Sequence, residues 1–125
     1  GRAGNVIGGG DWADNRIIPD IVRSKILKKK LILKNPKSTR PWQHVLEPLR
    51  GYLMLGAGLL SGERNSAQAW NFGPSNDAMV AVRVFAERFL QAWGTGTCRD
   101  APNAAELPET EQLLLNSAKA AANTL

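Results

Sequence analysis

Residues 39–62 read Thr-Arg-Pro-Trp-Gln-His-Val-Leu-Glu-Pro-Leu-Arg-Gly-Tyr-Leu-Met-Leu-Gly-Ala-Gly-Leu-Leu-Ser-Gly, and their pattern decides the fold class. Trp42 to Val45 is an extended segment. From Leu46 onward Leu46, Leu49, Leu53, Ala57 and Leu60 recur every three or four residues, which places them on one face of a helix. Pro48 is tolerated only in an opening turn, and Gly62 stands where a helix stops.

The same alternation extends in both directions. Arg2 to Ile7 reads as a short strand, ended by the glycines at 8, 9 and 10 in a loop that reaches Asn15. Apolar positions 17, 18, 21, 22 and 26 then predict a helix to about Lys29, with Pro19 in its first turn. Leu31 to Leu33 reads as a brief strand closed by Asn35 and Pro36. Ala69 to Phe72 is another, ended by Gly73 and Pro74, and Val82, Phe85, Phe89 and Trp93 mark a third helix stopped at Gly94. Residues 94–110 read as loop, Leu113 to Leu115 as a short apolar run, and Asn116 or Ser117 as the cap of an Ala-rich helix from about Ala118. The order of short strands alternating with helices is that of an α/β fold. No internal repeat or low-complexity segment is present.

The chain has 125 residues, within the usual size of one domain, so the length implies one core. It starts at Gly1 on strand-like material, as a piece of a longer protein would. Hydrophobic residues make up 43 % and charged residues 22 %, too apolar for a disordered chain. No stretch approaches the roughly 18 to 20 apolar residues that cross a bilayer, and no signal pattern opens the chain, so a cytoplasmic location is expected. The lone cysteine, Cys98, excludes an intramolecular disulfide and a multi-cysteine metal site, and nothing beside it would activate the thiol.

The net charge of +5 is unevenly placed: eight Lys or Arg residues and no acid lie between Ile21 and Leu46. A nucleic-acid footprint, a pocket for a diphosphate ligand and a solvated helix end each account for such a bias. For Lys28, Lys29 and Lys30 the favoured reading is the helix end, where lysines in a last turn complement the dipole. Trp42 is the only aromatic in the basic stretch, which lacks the aromatic interleaving of single-strand binders. A non-catalytic nucleic-acid-binding module is therefore the weaker alternative.

Four phrases carry a resemblance: Arg2-Ala-Gly-Asn-Val-Ile-Gly-Gly-Gly-Asp-Trp, Arg16-Ile-Ile-Pro-Asp, Asn35-Pro-Lys-Ser-Thr-Arg-Pro-Trp-Gln-His-Val-Leu-Glu-Pro-Leu, and Trp70-Asn-Phe-Gly-Pro. In order and spacing they resemble the second half of the extended short-chain dehydrogenase/reductase family. The Thr39 to Pro48 segment is most similar to the branch of CDP-glucose 4,6-dehydratases. The resemblance implies that residues 1–125 form the nucleotide-sugar-binding C-terminal portion of an NAD-binding Rossmann-like fold, without its N-terminal dinucleotide-binding domain. It further implies NAD as cofactor, a nucleotide sugar such as CDP-glucose as ligand, and a homodimer at full length. Another dehydratase or an epimerase of the same superfamily would differ only in substrate and redox outcome.

Five residues are candidates for ligand contact. Asn5 is read as lying just past a strand end, where α/β sheets bind ligands, and its amide both donates and accepts; the resemblance implies that it contacts the nucleotide sugar. Arg16 sits where a helix begins, a competent anion site, and the resemblance puts it near the diphosphate. Arg40 offers a planar fork of donors suited to two phosphates, and the resemblance again implies a diphosphate contact. Lys34 and Asn35 lie, by resemblance, near the cytosine, with a solvated edge strand as the alternative. The only histidine, His44, is read as packed and hydrogen-bonded, without a catalytic role.

The family's chemistry oxidises C4 of the sugar with bound NAD, eliminates water across C5 and C6, and returns the hydride to C6. It needs a Gly-rich phosphate loop, a tyrosine with a lysine four residues on, and an acid/base pair. The only tyrosine, Tyr52, has Gly56 at that spacing, and Gly8-Gly-Gly-Asp is too short for the dinucleotide fingerprint. No catalytic residue and no metal ligand is assigned. Around Leu107 to Glu111 the chain also departs from the branch, which carries a histidine-containing segment there.

Overall fold

The computed structural model describes residues 1–75, 78–101 and 114–123. The element order is β1 (Arg2–Ala3), β2 (Asn5–Ile7), α1 (Ile17–Ile26), β3 (Leu31–Leu33), β4 (Thr39–His44), α2 (Leu46–Leu60), a 3-10 turn (Arg64–Ser66), β5 (Asn71–Phe72), β6 (Met79–Ala81), α3 (Val82–Trp93), β7 (Cys98–Asp100) and α4 (Ala118–Ala122). The strands form three small groups, β1-β5, β2-β4-β6 and β3-β7. The chain divides into two compact units, one of residues 1–8, 41–79 and 114–125, the other of residues 9–40 and 80–113. Each has its own buried cluster, where length alone implied one core.

In the first unit β1 runs parallel to β5, pairing Arg2 with Asn71 and Ala3 with Phe72. Parallel neighbours need a crossover, and α2 lies between them in the chain. The predicted single strand over residues 2–7 is in fact two, because the chain changes partner at Gly4: beyond it Asn5 to Ile7 pair with Trp42 to His44. The carbonyl of Phe72 serves the junction, accepting from Gly4 N–H at 3.3 Å and from Gln43 Nε2 at 2.9 Å. Leu55, Trp70, Phe72 and Ala120 form the core, and Tyr52 sets its edge against the Phe72 ring with centroids 5.3 Å apart. Lys119 closes this cluster from α4, with Nζ 4.0 Å from the centre of the Trp70 ring. Asn116 Oδ1 accepts from Ala118 N–H at 3.0 Å, so of the two proposed caps it is the asparagine that binds the helix start.

In the second unit Ile21, Leu31, Leu33, Ala86 and Leu90 are buried together, drawn from α1, β3 and α3. β7 pairs in parallel with β3, Leu31 opposite Cys98 and Leu33 opposite Asp100. This strand falls in a stretch predicted to be loop, since Cys-Arg-Asp has no apolar alternation. Arg83 ties α3 to it through an ion pair with Asp100 and holds Glu87 at 2.9 Å; both carboxylates, Asp100 first, raise the affinity of its guanidinium for its proton. Residues 107–112 lie outside the described residues.

Candidate functional site

Arg16, Lys34, Asn35 and Arg40 all belong to the second unit, whereas Asn5 belongs to the first. Asn5 opens β2 opposite Trp42 and is half-buried.

Arg16 is the N-cap of α1, in extended conformation with φ −114° and ψ 134°, and its carbonyl accepts the first helical bond from Asp20 N–H at 3.0 Å. Its guanidinium is paired with Asp11 at 3.2 Å and remains largely exposed. The residue before it, Asn15, has φ +60°, a left-handed conformation that asparagine tolerates better than most residues. Lys34, at the end of β3, donates from Nζ to Asn15 Oδ1 at 2.9 Å. Asn15 thus joins Lys34 to the start of α1, and two of the sequence candidates flank one amide. Asn15 and Asp11 were not among those candidates. The signal for the first was an asparagine immediately before a helix start.

The segment from Lys34 to Arg40 is held from beneath by α3. The first amides of a helix have no partner within it. Here Val82 N–H donates to Ser38 carbonyl at 2.9 Å and Arg83 N–H to Pro36 carbonyl at 3.0 Å, and no side chain caps α3. Ser38 N–H closes a turn on Asn35 carbonyl at 3.2 Å. Lys34 and Asn35 are left exposed on this loop.

Arg40 departs from expectation. Only 7 % exposed, it turns one guanidinium nitrogen back to the Thr39 carbonyl at 2.9 Å, so its fork is not displayed to solvent. Beside it Thr39 Oγ1 is buried without a hydrogen-bond partner among the described residues. Such a hydroxyl costs about 1 to 3 kcal/mol against a satisfied one.

The other basic residues sort differently. Arg23 is structural, bonding Asp20 at 3.1 Å, Asp14 at 3.2 Å, and the carbonyls of Trp12 and Ala13, which fastens the loop before α1 onto the helix. Lys28, Lys29 and Lys30 are not in the last turn of α1, which ends at Ile26 and carries Arg23 and Lys25 there instead. His44 is exposed rather than packed; its Nδ1 accepts from Leu46 N–H at 3.3 Å and so supplies a cap for α2. Among the described residues no cluster of three or more His, Cys, Asp or Glu could hold a metal ion, and no helix is long and apolar enough to cross a membrane.

No family model matches the chain. Sequence and fold nevertheless point the same way: the chain has an α/β Rossmann-like fold, shared with solved dehydratases and epimerases of nucleotide sugars. The chain is similar to the CDP-glucose 4,6-dehydratase of Salmonella typhimurium, 47 % identical over 93 residues, or 74 % of this chain. The chain spans about a quarter of that enzyme's length, 26 %. Among solved structures, a dTDP-glucose 4,6-dehydratase from Streptomyces venezuelae with NAD and TYD bound matches 97 % of this chain and 35 % of its own, with TM-score 0.73 and 19 % identity. A UDP-glucuronic acid 4-epimerase from Bacillus cereus, in complex with UDP-glucuronic acid and NAD, matches 97 % and 37 %, with TM-score 0.74 and 15 % identity. At such identities the structures show the shared fold alone.

Proposed function

We propose that this chain is the substrate-holding portion of a nucleotide-sugar 4,6-dehydratase acting on CDP-glucose, its C-terminal part by resemblance. The observation that carries the reading is the 47 % identity to a CDP-glucose 4,6-dehydratase over 93 residues. The chemistry of that cluster supports it. Lys34 and Arg16 put two exposed cations beside the N-terminus of α1, where unpaired amides and the dipole favour an anion such as a diphosphate. Asn35 displays an amide on the same loop for a polar ring edge.

Arg40 has a second role in this reading. Buried on β4, it acts from behind the loop, with one guanidinium nitrogen on the Thr39 carbonyl.

NAD is the cofactor of the structural neighbours. The described residues do not fit it. Tyr52 packs on Phe72 with glycine four positions on, and no dinucleotide loop is present. In this reading NAD is held mainly by a part of the enzyme that this chain does not contain, and the chain binds and orients the sugar nucleotide. The enzyme acts in the cytoplasm, as a homodimer at full length.

The test is a calorimetric titration of CDP-glucose into the chain, alone and joined to a dinucleotide-binding portion, with Arg40→Ala beside it. CDP-glucose binds with at least tenfold preference over UDP-glucose and dTDP-glucose, and Arg40→Ala weakens it. Equal affinity for the three nucleotides removes the CDP-glucose assignment. The epimerase reading is separated by product: a 4-keto-6-deoxy sugar for the dehydratase, an inverted hydroxyl for the epimerase.

A further inference from the structure

The charge bias left over by the proposed site has its own location. Lys25, Lys28, Lys29 and Lys30 line one open cleft of about 620 Å³ together with Trp93 and Thr95. Its residues all belong to the second unit, and its lining contains no acidic side chain. Among the described residues the ammonium groups of Lys28, Lys29 and Lys30 have neither an ion pair nor a hydrogen bond.

Two backbone features build this cleft. After α1 the chain closes with Lys28 N–H to Lys25 carbonyl at 3.1 Å and Lys29 N–H to Ser24 carbonyl at 2.8 Å, the pair of bonds that ends many helices on a left-handed residue. That residue is Lys28, at φ +52°, where glycine is the usual occupant. A lysine there accepts backbone strain and gains a cation in the cleft, and strain of this kind marks functional positions. On the facing side Gly94 and Gly96 take φ +90° and +127°, and a Cβ on Gly96 would stand 2.7 Å from Leu90 Cδ2. This turn brings the Thr95 carbonyl and hydroxyl to Lys25 Nζ at 2.5 Å each. Because Thr95 Oγ1 accepts there, its O–H is left to donate outward.

Trp93 supplies the third element. It is half exposed, and it leans on Phe89 with ring centroids 5.8 Å apart, which fixes a wide aromatic surface beside the cations. Three unpaired ammonium groups and a hydroxyl donor suit phosphate oxygens, and an exposed indole suits a planar ring.

We propose that this cleft is a second anion site that binds a nucleoside phosphate, with Lys28, Lys29 and Lys30 on the phosphates and Trp93 against the base. The site is independent of the sugar-nucleotide reading, since it shares no residue with Arg16, Lys34, Asn35 or Arg40.

The test is a nitrogen-15 spectrum of the 125-residue chain titrated with ADP, with inorganic pyrophosphate as a second probe. ADP produces saturable shifts of the Trp93 indole and of the amides of Thr95, Gly96 and Thr97. Pyrophosphate moves the amides but not the indole. The double variant Lys28→Glu, Lys29→Glu weakens ADP at least tenfold while its remaining spectrum stays native. Three outcomes overturn the proposal: shifts that grow linearly without saturation, ADP affinity unchanged in the double variant, or binding seen only with single-stranded oligonucleotides and increasing with their length.

Discussion

Lys34 Nζ donates to Asn15 Oδ1 at 2.9 Å, so the end of β3 is tied to the residue that precedes Arg16. Both side chains are exposed, and the bond contributes little to stability on its own. Its consequence is placement. Lys34→Ala therefore leaves the unfolding free energy within about 0.5 kcal/mol of the parent. It lowers CDP-glucose affinity about tenfold or more, the range of a lost hydrogen bond to a charged group. Asn15→Gly keeps the left-handed backbone and deletes only the tether, so it costs less affinity than Lys34→Ala. Denaturant unfolding and calorimetry on the same samples separate the two effects; full affinity in Lys34→Ala would remove Lys34 from the site.

Thr39 lies beside the buried Arg40 and has a hydroxyl without a partner among the described residues. Replacing an unsatisfied donor by an apolar group of the same shape is neutral or favourable. Thr39→Val is expected to stabilise the chain by up to about 1 kcal/mol, and β-branched valine keeps the strand's preference. The measurement is the midpoint of urea unfolding. A loss of more than about 1 kcal/mol would mean that the hydroxyl is bonded in solution.

The elements read correctly from the sequence are those whose own periodicity decides them. α2 and α3 fall on Leu46–Leu60 and Val82–Trp93, the ranges set by apolar spacing and by Pro48, Gly62 and Gly94. What the sequence hid depends on partners far along the chain. β7 is a strand because Leu31 to Leu33 offer it a ladder, although Cys98-Arg-Asp has no pattern of its own. The break at Gly4 comes from a change of neighbours, from β5 to β4, that no local rule signals. The site was half legible. Arg16 and Lys34 are basic residues at element ends, visible in the sequence. Asn15, which bonds Lys34 and directly precedes Arg16, lies 19 residues before Lys34, and its link to that lysine becomes visible only when the chain is folded.

Lys28 shows why the lysine run was misplaced. A helix end is usually read from glycine, and here the left-handed position after α1 carries lysine. Lys28→Gly is expected to raise stability by about 0.5 to 1 kcal/mol, since relief of the left-handed strain exceeds the added freedom of the unfolded chain. The same change removes one of the cleft's four lysines, and one of the three assigned to the phosphates, so ADP affinity falls as stability rises. Thermal unfolding with and without ADP reads both. A stability loss in Lys28→Gly would show that the lysine side chain, and not its backbone conformation, holds the turn.

The outward face of α2 leads to the last expectation. Leu46, Leu53 and Leu60 are 64 %, 74 % and 93 % exposed, and Leu49 and Leu59 are exposed beside them. Scattered apolar residues need no explanation, but a contiguous helical stripe marks a surface that is covered in the working protein or that drives association. The parallel pairing of β1 and β5 points the same way, because parallel strands are ordinarily buried on both faces. The chain by itself is therefore expected to self-associate at tens of micromolar, in the range of weak apolar contacts. Leu53→Glu combined with Leu60→Lys should shift it to monomer in sedimentation equilibrium. Neither side chain is buried, so the unfolding free energy of the double variant should change by no more than about 1 kcal/mol. A monomeric parent chain, or a variant that loses its fold, would show that the stripe already has a partner within the chain.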